Sequence, residues 1–141
     1  MEPLAGMPEL IFEITDLLQL KAPSEAGLAE LPASELEVLR WVTRFPGCGV
    51  MFLAERTKMH QANVSATVRS LVERGLVVKK PDERDRRAVR LRASARAQRD
   101  LEALRQVWLR RLRAALDAAG IDDGERKRLA VSLAEVREHL A

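Results

Sequence analysis

Gln61, Asn63, Ser65 and Arg69 are interleaved with Val64, Val68 and Leu71, apolar residues that recur every three to four positions. On a helix of that period the apolar set faces inward and the four polar side chains face out. Glutamine and asparagine can bond the adenine edge bidentately and arginine the guanine edge, so this outward set suits the reading of base pairs in a major groove. The same types also clothe an ordinary solvated helix. A second constellation follows downstream, where Arg84, Arg86 and Arg87 stand among Asp82, Glu83 and Asp85. There an acid can fix one guanidinium while another points outward, and a protruding arginine suits a narrow, electronegative minor groove. A solvated turn with local ion pairs would use the same residues.

Other chemistry finds few parts. The 141 residues include two histidines, one cysteine and no tyrosine. They contain no nucleophile–base pair, metal-ligand spacing or phosphate-cradling glycine loop, so neither an enzyme nor a cofactor or metal is expected. A single cysteine, Cys48, cannot close an intrachain disulfide or fill a thiolate cage. It is expected to be a small buried or half-buried thiol rather than a redox sensor. His60 stands just before the polar helix, where it could cap that helix or touch a phosphate, and His139 lies near the chain end in solvent. No apolar run approaches the ~20 residues that span a bilayer. Glu2 stands where a targeting presequence would carry bases, so a cytoplasmic protein is expected.

Charge is unevenly spread. Residues 1–33 carry one base and six acids, residues 34–100 fifteen and eight, and residues 101–141 eight and seven. Between Arg56 and Arg96 twelve bases face four acids. A modest net charge of +3 therefore hides a basic centre suited to a polyanion.

The elements that must carry these residues follow from periodicity and stop signals. Residues 1–8, with two prolines and a glycine, read as a loose tail, and Glu9–Leu20 as a helix with an apolar stripe through Leu10, Ile14 and Leu17. Pro23–Pro32 is connecting chain. Ser34 is expected to open a helix through a capping box with Glu37, with Leu36, Leu39, Trp41, Val42 and Phe45 inward and Pro46-Gly47 as the stop. Val50–Thr57 is a short helix, Gln61–Arg74 the next, and Gly75 its left-handed cap. The period then changes to two. Leu76–Lys80 and Ala88–Arg92 form a hairpin around the charged tip. Ser94 caps a long helix to about Ala118 with Leu101, Leu104, Trp108, Leu112 and Ala115 inward. After Gly120, Asp122 and Glu125 cap a last helix striped by Leu129, Leu133, Val136 and Leu140. The fold class is mostly α with a small β-hairpin, a winged helix-turn-helix in which the second helix of the pair enters the major groove.

Residues 31–101 resemble the MarR family of transcriptional regulators. The similarity rests on LPASELEVLRWV before the motif, FLAERTKMHQANVSATVRSLVERGLV through it, and KKPDERDRRAVRLRAS for the wing and the start of the long helix. The Leu-x-x-Arg-Gly-Leu-Val ending and the Asp85-Arg86-Arg87 tip are the most diagnostic pieces. The resemblance implies a homodimer over residues 9–141. Residues 31–93 would form the DNA-binding lobe, and residues 9–20 and 94–141 an intertwined helical dimerisation platform. It implies Gln61–Arg74 as recognition helix, and Arg87 with Arg86 in the minor groove while Asp85 orients the tip. It also implies a small aromatic or anionic effector between platform and lobe, for which Trp41, Arg44 and Trp108 are the candidate residues. The chain departs from the family at Ala66, where an arginine commonly follows the serine, at Ala93-Ser94 in place of Leu-Thr, and at Ala97 in place of glycine.

A dimer is expected without the family as well. A helix from Ser94 to Ala118 would be about 37 Å long, more than one small core can cover. Two-fold symmetry would set two recognition helices about 34–36 Å apart, over a pseudo-palindromic double-stranded DNA site. The expected function is a dimeric repressor released by an effector. The alternative is a winged-helix protein–protein module that does not read DNA.

Overall fold

The computed structural model describes every residue except Met1, Ala29, Glu30 and Arg86. Its elements are α1 (Met7–Gln19), α2 (Ala22–Glu25), α3 (Ala33–Arg44), α4 (Val50–Thr57), α5 (Gln61–Glu73), β1 (Val77–Pro81), β2 (Val89–Ala93), α6 (Ala95–Ala118) and α7 (Asp123–Leu140). This is the helix-dominated, hairpin-bearing order that the sequence predicts. Contacts divide the chain into a lobe, Pro23–Arg105, and a helical unit made of the residues up to Ala22 together with Gln106–Ala141.

The lobe is built on apolar side chains from every one of its long elements. Val38, Leu39 and Val42 of α3, Leu53 of α4, Val64, Val68 and Leu71 of α5, and Leu91 of β2 are almost fully covered, and Ala97 of α6 joins them. Helical spacing puts each set on one stripe, and packing those stripes together is what stabilises short helices that would not persist alone. β1 and β2 pair antiparallel, Val77 opposite Ala93 and Lys79 opposite Leu91. Gly47 and Cys48 join the free edge of β2, the Gly47 N–H donating to the Leu91 carbonyl at 2.8 Å and the Leu91 N–H to the Cys48 carbonyl at 2.9 Å. The hairpin is thereby anchored to the chain that follows α3.

Several local expectations need correction. α3 begins at Ala33 with Pro32 at its N-cap and no side-chain cap, so the Ser34–Glu37 capping box does not form. Glu35 and Val38 lie on its buried face, whereas Leu36, Trp41 and Phe45 are only half-buried. α1 starts at Met7, inside the expected tail, because Pro8 sits in the first turn, where its missing N–H costs nothing. A single helical turn, α2, interrupts the expected connection. On α6 the buried residues are Ala97, Leu104 and Val107; Leu112 and Ala115, expected inside, are exposed. The caps of the last two helices do form. Ser94 Oγ accepts from the Ala97 N–H at 3.1 Å, and Asp122 accepts from the Glu125 N–H at 2.9 Å.

In the helical unit, the Arg111 guanidinium donates to the Leu17 and Leu18 carbonyls at 3.2 and 3.0 Å, satisfying the otherwise open end of α1. Leu10, Ile11, Phe12, Ile14 and Leu17 of α1 and Leu129, Val131, Leu133, Val136 and Leu140 of α7 are nevertheless exposed.

Leu91 is fully buried where the hairpin meets the lobe core. Leu91→Ala should lower the lobe's stability by about 2–5 kcal/mol in urea denaturation. Met51→Ala, at an exposed position of α4, should change it by no more than about 0.5 kcal/mol.

Candidate nucleic-acid interface

α5 presents its free face because three hydrophobic residues and one ion pair hold the other. Val64, Val68 and Leu71 are buried against the lobe. Near the C-terminal end of the helix the Ser70 hydroxyl donates to Glu35 Oε1 at 2.6 Å, and Arg74 Nε lies 3.0 Å from Glu35 Oε2. Glu35 is itself buried, so its carboxylate takes its partners from α5 and its cap rather than from water. Sequence periodicity did not single out this residue. The signal was an acid at position 35 on the stripe of Val38, Leu39 and Val42.

Of the four expected readers, Gln61, Asn63 and Arg69 are exposed. Ser65 is half-buried. Ala62 and Ala66 are exposed instead, between the side chains of Asn63 and Arg69 around the helix. Small residues there permit close approach, and an alanine methyl can meet a thymine methyl in the groove. The Thr67 hydroxyl bonds back to the Asn63 carbonyl at 2.8 Å and is withdrawn from such contacts. His60 is the N-cap residue of α5 but makes no side-chain cap.

The wing tip is shaped by its acids acting on backbone rather than on guanidinium groups. Asp85 Oδ1 accepts from the Arg87 N–H at 3.0 Å, and Asp82 Oδ1 from the Arg84 N–H at 3.0 Å. The Asp82 N–H donates to the Ala88 carbonyl and the Ala88 N–H to the Asp85 carbonyl, each at 3.0 Å, closing the turn. Asp82 Oδ2 also pairs with Arg90 at 3.2 Å. Arg84 and Arg87 are exposed and form no ion pair among the described residues. The sequence suggested that one of these acids would fix a guanidinium; instead Asp85 and Asp82 each take a backbone N–H, at Arg87 and at Arg84. Arg86 lies outside the described residues. The Arg84 N–H, followed by the nearby Arg90 guanidinium, holds the Asp82 carboxyl below the usual aspartate range.

Trp41 and Arg44 form part of a surface stack, not a cavity. Trp41 stacks on Phe45 with centroids 5.8 Å apart, and Phe45 meets Phe52 edge-on at 5.1 Å. The Arg44 guanidinium lies 5.7 Å from the Trp41 ring, and that of Arg56 5.0 Å from Phe52. Trp108, the third expected ligand residue, is half-buried on α6 in the helical unit. A cavity of about 300 Å³ does open in the lobe, but none of the three lines it. Its walls include Leu28, Leu31, Leu36 and Leu101, with Arg74, Arg96 and Asp100 as its charged residues. Cys48 is half-buried, and burial pushes its thiol above the usual cysteine range, which disfavours the reactive thiolate. Among the described residues no group of histidine, cysteine and acid side chains could hold a metal, and no helix is long and apolar enough to cross a membrane.

Residues 29–88 match the family model described as MarR family. No curated protein matches the chain. Among solved structures, a MarR family protein from Bacillus stearothermophilus superposes with a TM-score of 0.79 at 18% identity, covering 97% of this chain and 94% of that one. A MarR-like transcriptional regulator from Thermotoga maritima does so with a TM-score of 0.69 at 22% identity, over 99% and 97%. A mutant MepR from S. aureus bound to an oligodeoxyribonucleotide gives a TM-score of 0.65 at 12% identity, over 96% and 95%.

The depressed Asp82 value has a defined consequence. The wing contacts of its carboxylate are fully present above the ordinary aspartate range and are lost only as the pH falls through the lowered value. Carboxyl-carbon NMR should therefore find Asp82 titrating below the ordinary aspartate range, and the Arg84 amide, which it accepts from, should shift with the same midpoint.

Proposed function

We propose that this chain, whose residues 29–88 match the MarR family model, is a homodimeric, sequence-specific DNA-binding transcriptional regulator, a repressor whose hold on DNA a small molecule weakens. The observation that carries this reading is the pairing of an exposed polar helix face with two exposed wing arginines, Arg84 and Arg87, that form no ion pair among the described residues. Gln61, Asn63 and Arg69 would meet base edges in the major groove, with Ala62 and Ala66 allowing close approach. Arg84 and Arg87, with Arg86, would enter the adjacent minor groove. The oligonucleotide bound to MepR lends support, since that protein shares this fold along nearly its whole length.

The dimer is supported by apolar surface. Leu10, Ile11, Phe12, Ile14 and Leu17 lie on α1, and Leu129, Leu133, Val136 and Leu140 on α7, all exposed in the single chain. Two amphipathic helices with uncovered apolar faces are what a second copy would bury. A two-fold dimer would offer two recognition helices to successive turns of a pseudo-palindromic site.

For the effector, the leucine-walled cavity with Arg74 and Arg96 is the best-formed candidate, and it fits a small apolar molecule carrying an anionic group. Arg74 is also the partner of Glu35 at the end of α5. A ligand that engages Arg74 would bear on the seating of the recognition helix, and release follows if it binds that altered arrangement more tightly.

Duplex binding followed by fluorescence anisotropy tests the DNA reading. Affinity should fall steeply with salt, and Arg87→Ala should weaken binding about tenfold or more, roughly 1.4 kcal/mol per decade, while the dimer persists. Salt-insensitive binding, or none at low ionic strength, would favour a protein–protein module instead. For the dimer, Leu133→Glu combined with Val136→Glu should give a monomer in sedimentation with helical circular dichroism retained.

A further inference from the structure

We propose that the outer face of the wing hairpin, carrying Lys80, Arg90 and Arg92, is a second DNA contact, a rail for the phosphate backbone beside the groove that the tip enters. The proposal rests on the DNA-binding reading above and assigns residues to it that neither the tip nor α5 supplies.

The register places these side chains together. Val78 is opposite Arg92 and Lys80 opposite Arg90, and alternation along a strand puts all four on one face. Val77 and Leu91, one step out of phase, are buried in the lobe core, so the face of Lys80, Arg90 and Arg92 is the solvent face. All three cations are exposed. Directly opposed like charges destabilise an antiparallel pair, and Lys80 and Arg90 are such a pair. Only Arg90 has an acid, Asp82 Oδ2 at 3.2 Å; Lys80 and Arg92 form no ion pair among the described residues. A face required merely to be wet would not need three cations in two adjacent rows.

The spacing suits a nucleic acid strand. Successive rows on the same face lie about 7 Å apart, two residues at ~3.4 Å each. Phosphates on one strand of B-DNA advance 3.4 Å along the axis, so two rows match about two phosphates. Cations set against phosphates position the duplex and carry no sequence information, so the contribution of this face is independent of sequence. Asp82 is the internal competitor. While it holds Arg90, the rail presents two free cations; without it, three.

The test uses the full-length protein and a fluorescein-labelled mixed-sequence duplex of about 30 bp, titrated across a range of salt. Lys80→Gln and Arg92→Gln should each reduce the slope of log affinity against log salt by about 0.9. Together they should lower affinity at ~0.1 M salt by on the order of tenfold to a hundredfold. Lys127→Gln, which removes the same charge from α7, should leave the slope unchanged. Asp82→Asn keeps an oxygen for the Arg84 N–H but frees Arg90, and should steepen the slope and tighten binding. A wing damaged by that substitution would instead bind more weakly, and weaker binding overturns the proposal. Unchanged slopes for Lys80→Gln and Arg92→Gln, in a protein whose binding still depends on salt and on Arg87, also overturn it and leave the DNA reading intact. A wild-type protein that shows no salt-dependent binding overturns both.

Discussion

The position of α5 depends on a buried carboxylate. Glu35 is covered by the lobe, and its two oxygens are met from α5 and its cap, by the Ser70 hydroxyl and by Arg74. An unpaired charge in that setting would cost several kcal/mol, whereas the paired one is close to neutral in net stability. The pair therefore adds little to how tightly the lobe folds and much to which arrangement it adopts. Ser70 and Arg74 are four residues apart and share one side of the helix axis. Any rotation of α5 that turned them from Glu35 would strand the charge. With that phase set, Val64, Val68 and Leu71 must face the core, and Ala62, Ala66 and Arg69 must face out.

The same corner of the lobe carries the constraint into the wing. Arg74 caps α5, and Gly75 follows with φ +73°, a conformation that suits glycine and ends the helix. Ser94 closes the other end of the hairpin. Its hydroxyl donates to the Gly75 carbonyl at 2.7 Å while accepting the Ala97 N–H, and its own N–H donates to the Leu76 carbonyl at 2.9 Å. One serine thus joins the end of α5, the root of the wing and the start of α6. Threonine could make the same bonds, since its hydroxyl also donates one and accepts another.

What could be read in advance follows from where the governing forces are local. α4 and α5 were legible because apolar residues recur at helical spacing and because Gly75 needs no tertiary partner to act as a stop. The caps at Ser94 and Asp122 were legible for the same reason. The Ser34 box was not, because the Glu35 carboxylate is drawn into the lobe and α3 starts a residue early behind Pro32. Ser65 appeared outward on a strip of alternating polar residues, but the buried arc centred on Val64, Val68 and Leu71 is wide enough to take it in. Trp41 and Arg44 are engaged with each other, Phe45 and Arg56, a contact between α3 and α4 that spacing along the chain does not report.

The wing acids resolve a tension in the electrostatics. A hairpin tip with three arginines would repel itself, and the simplest remedy would be to pair each guanidinium with a carboxylate. That remedy would also cancel the charge that a polyanion recognises. Here Asp82 and Asp85 instead direct oxygens at the N–H groups of Arg84 and Arg87, so they shape the turn through backbone bonds, and those two side chains form no ion pair among the described residues. Their negative charge still lowers the local potential enough for the arginines to coexist in water, where repulsion between exposed cations is weak and falls further with salt. On the proposed DNA-binding reading, the same guanidinium groups would act in a narrow groove, away from bulk solvent, in a lower dielectric and against phosphates. Interactions that are negligible in the free protein would then be the ones that hold the complex.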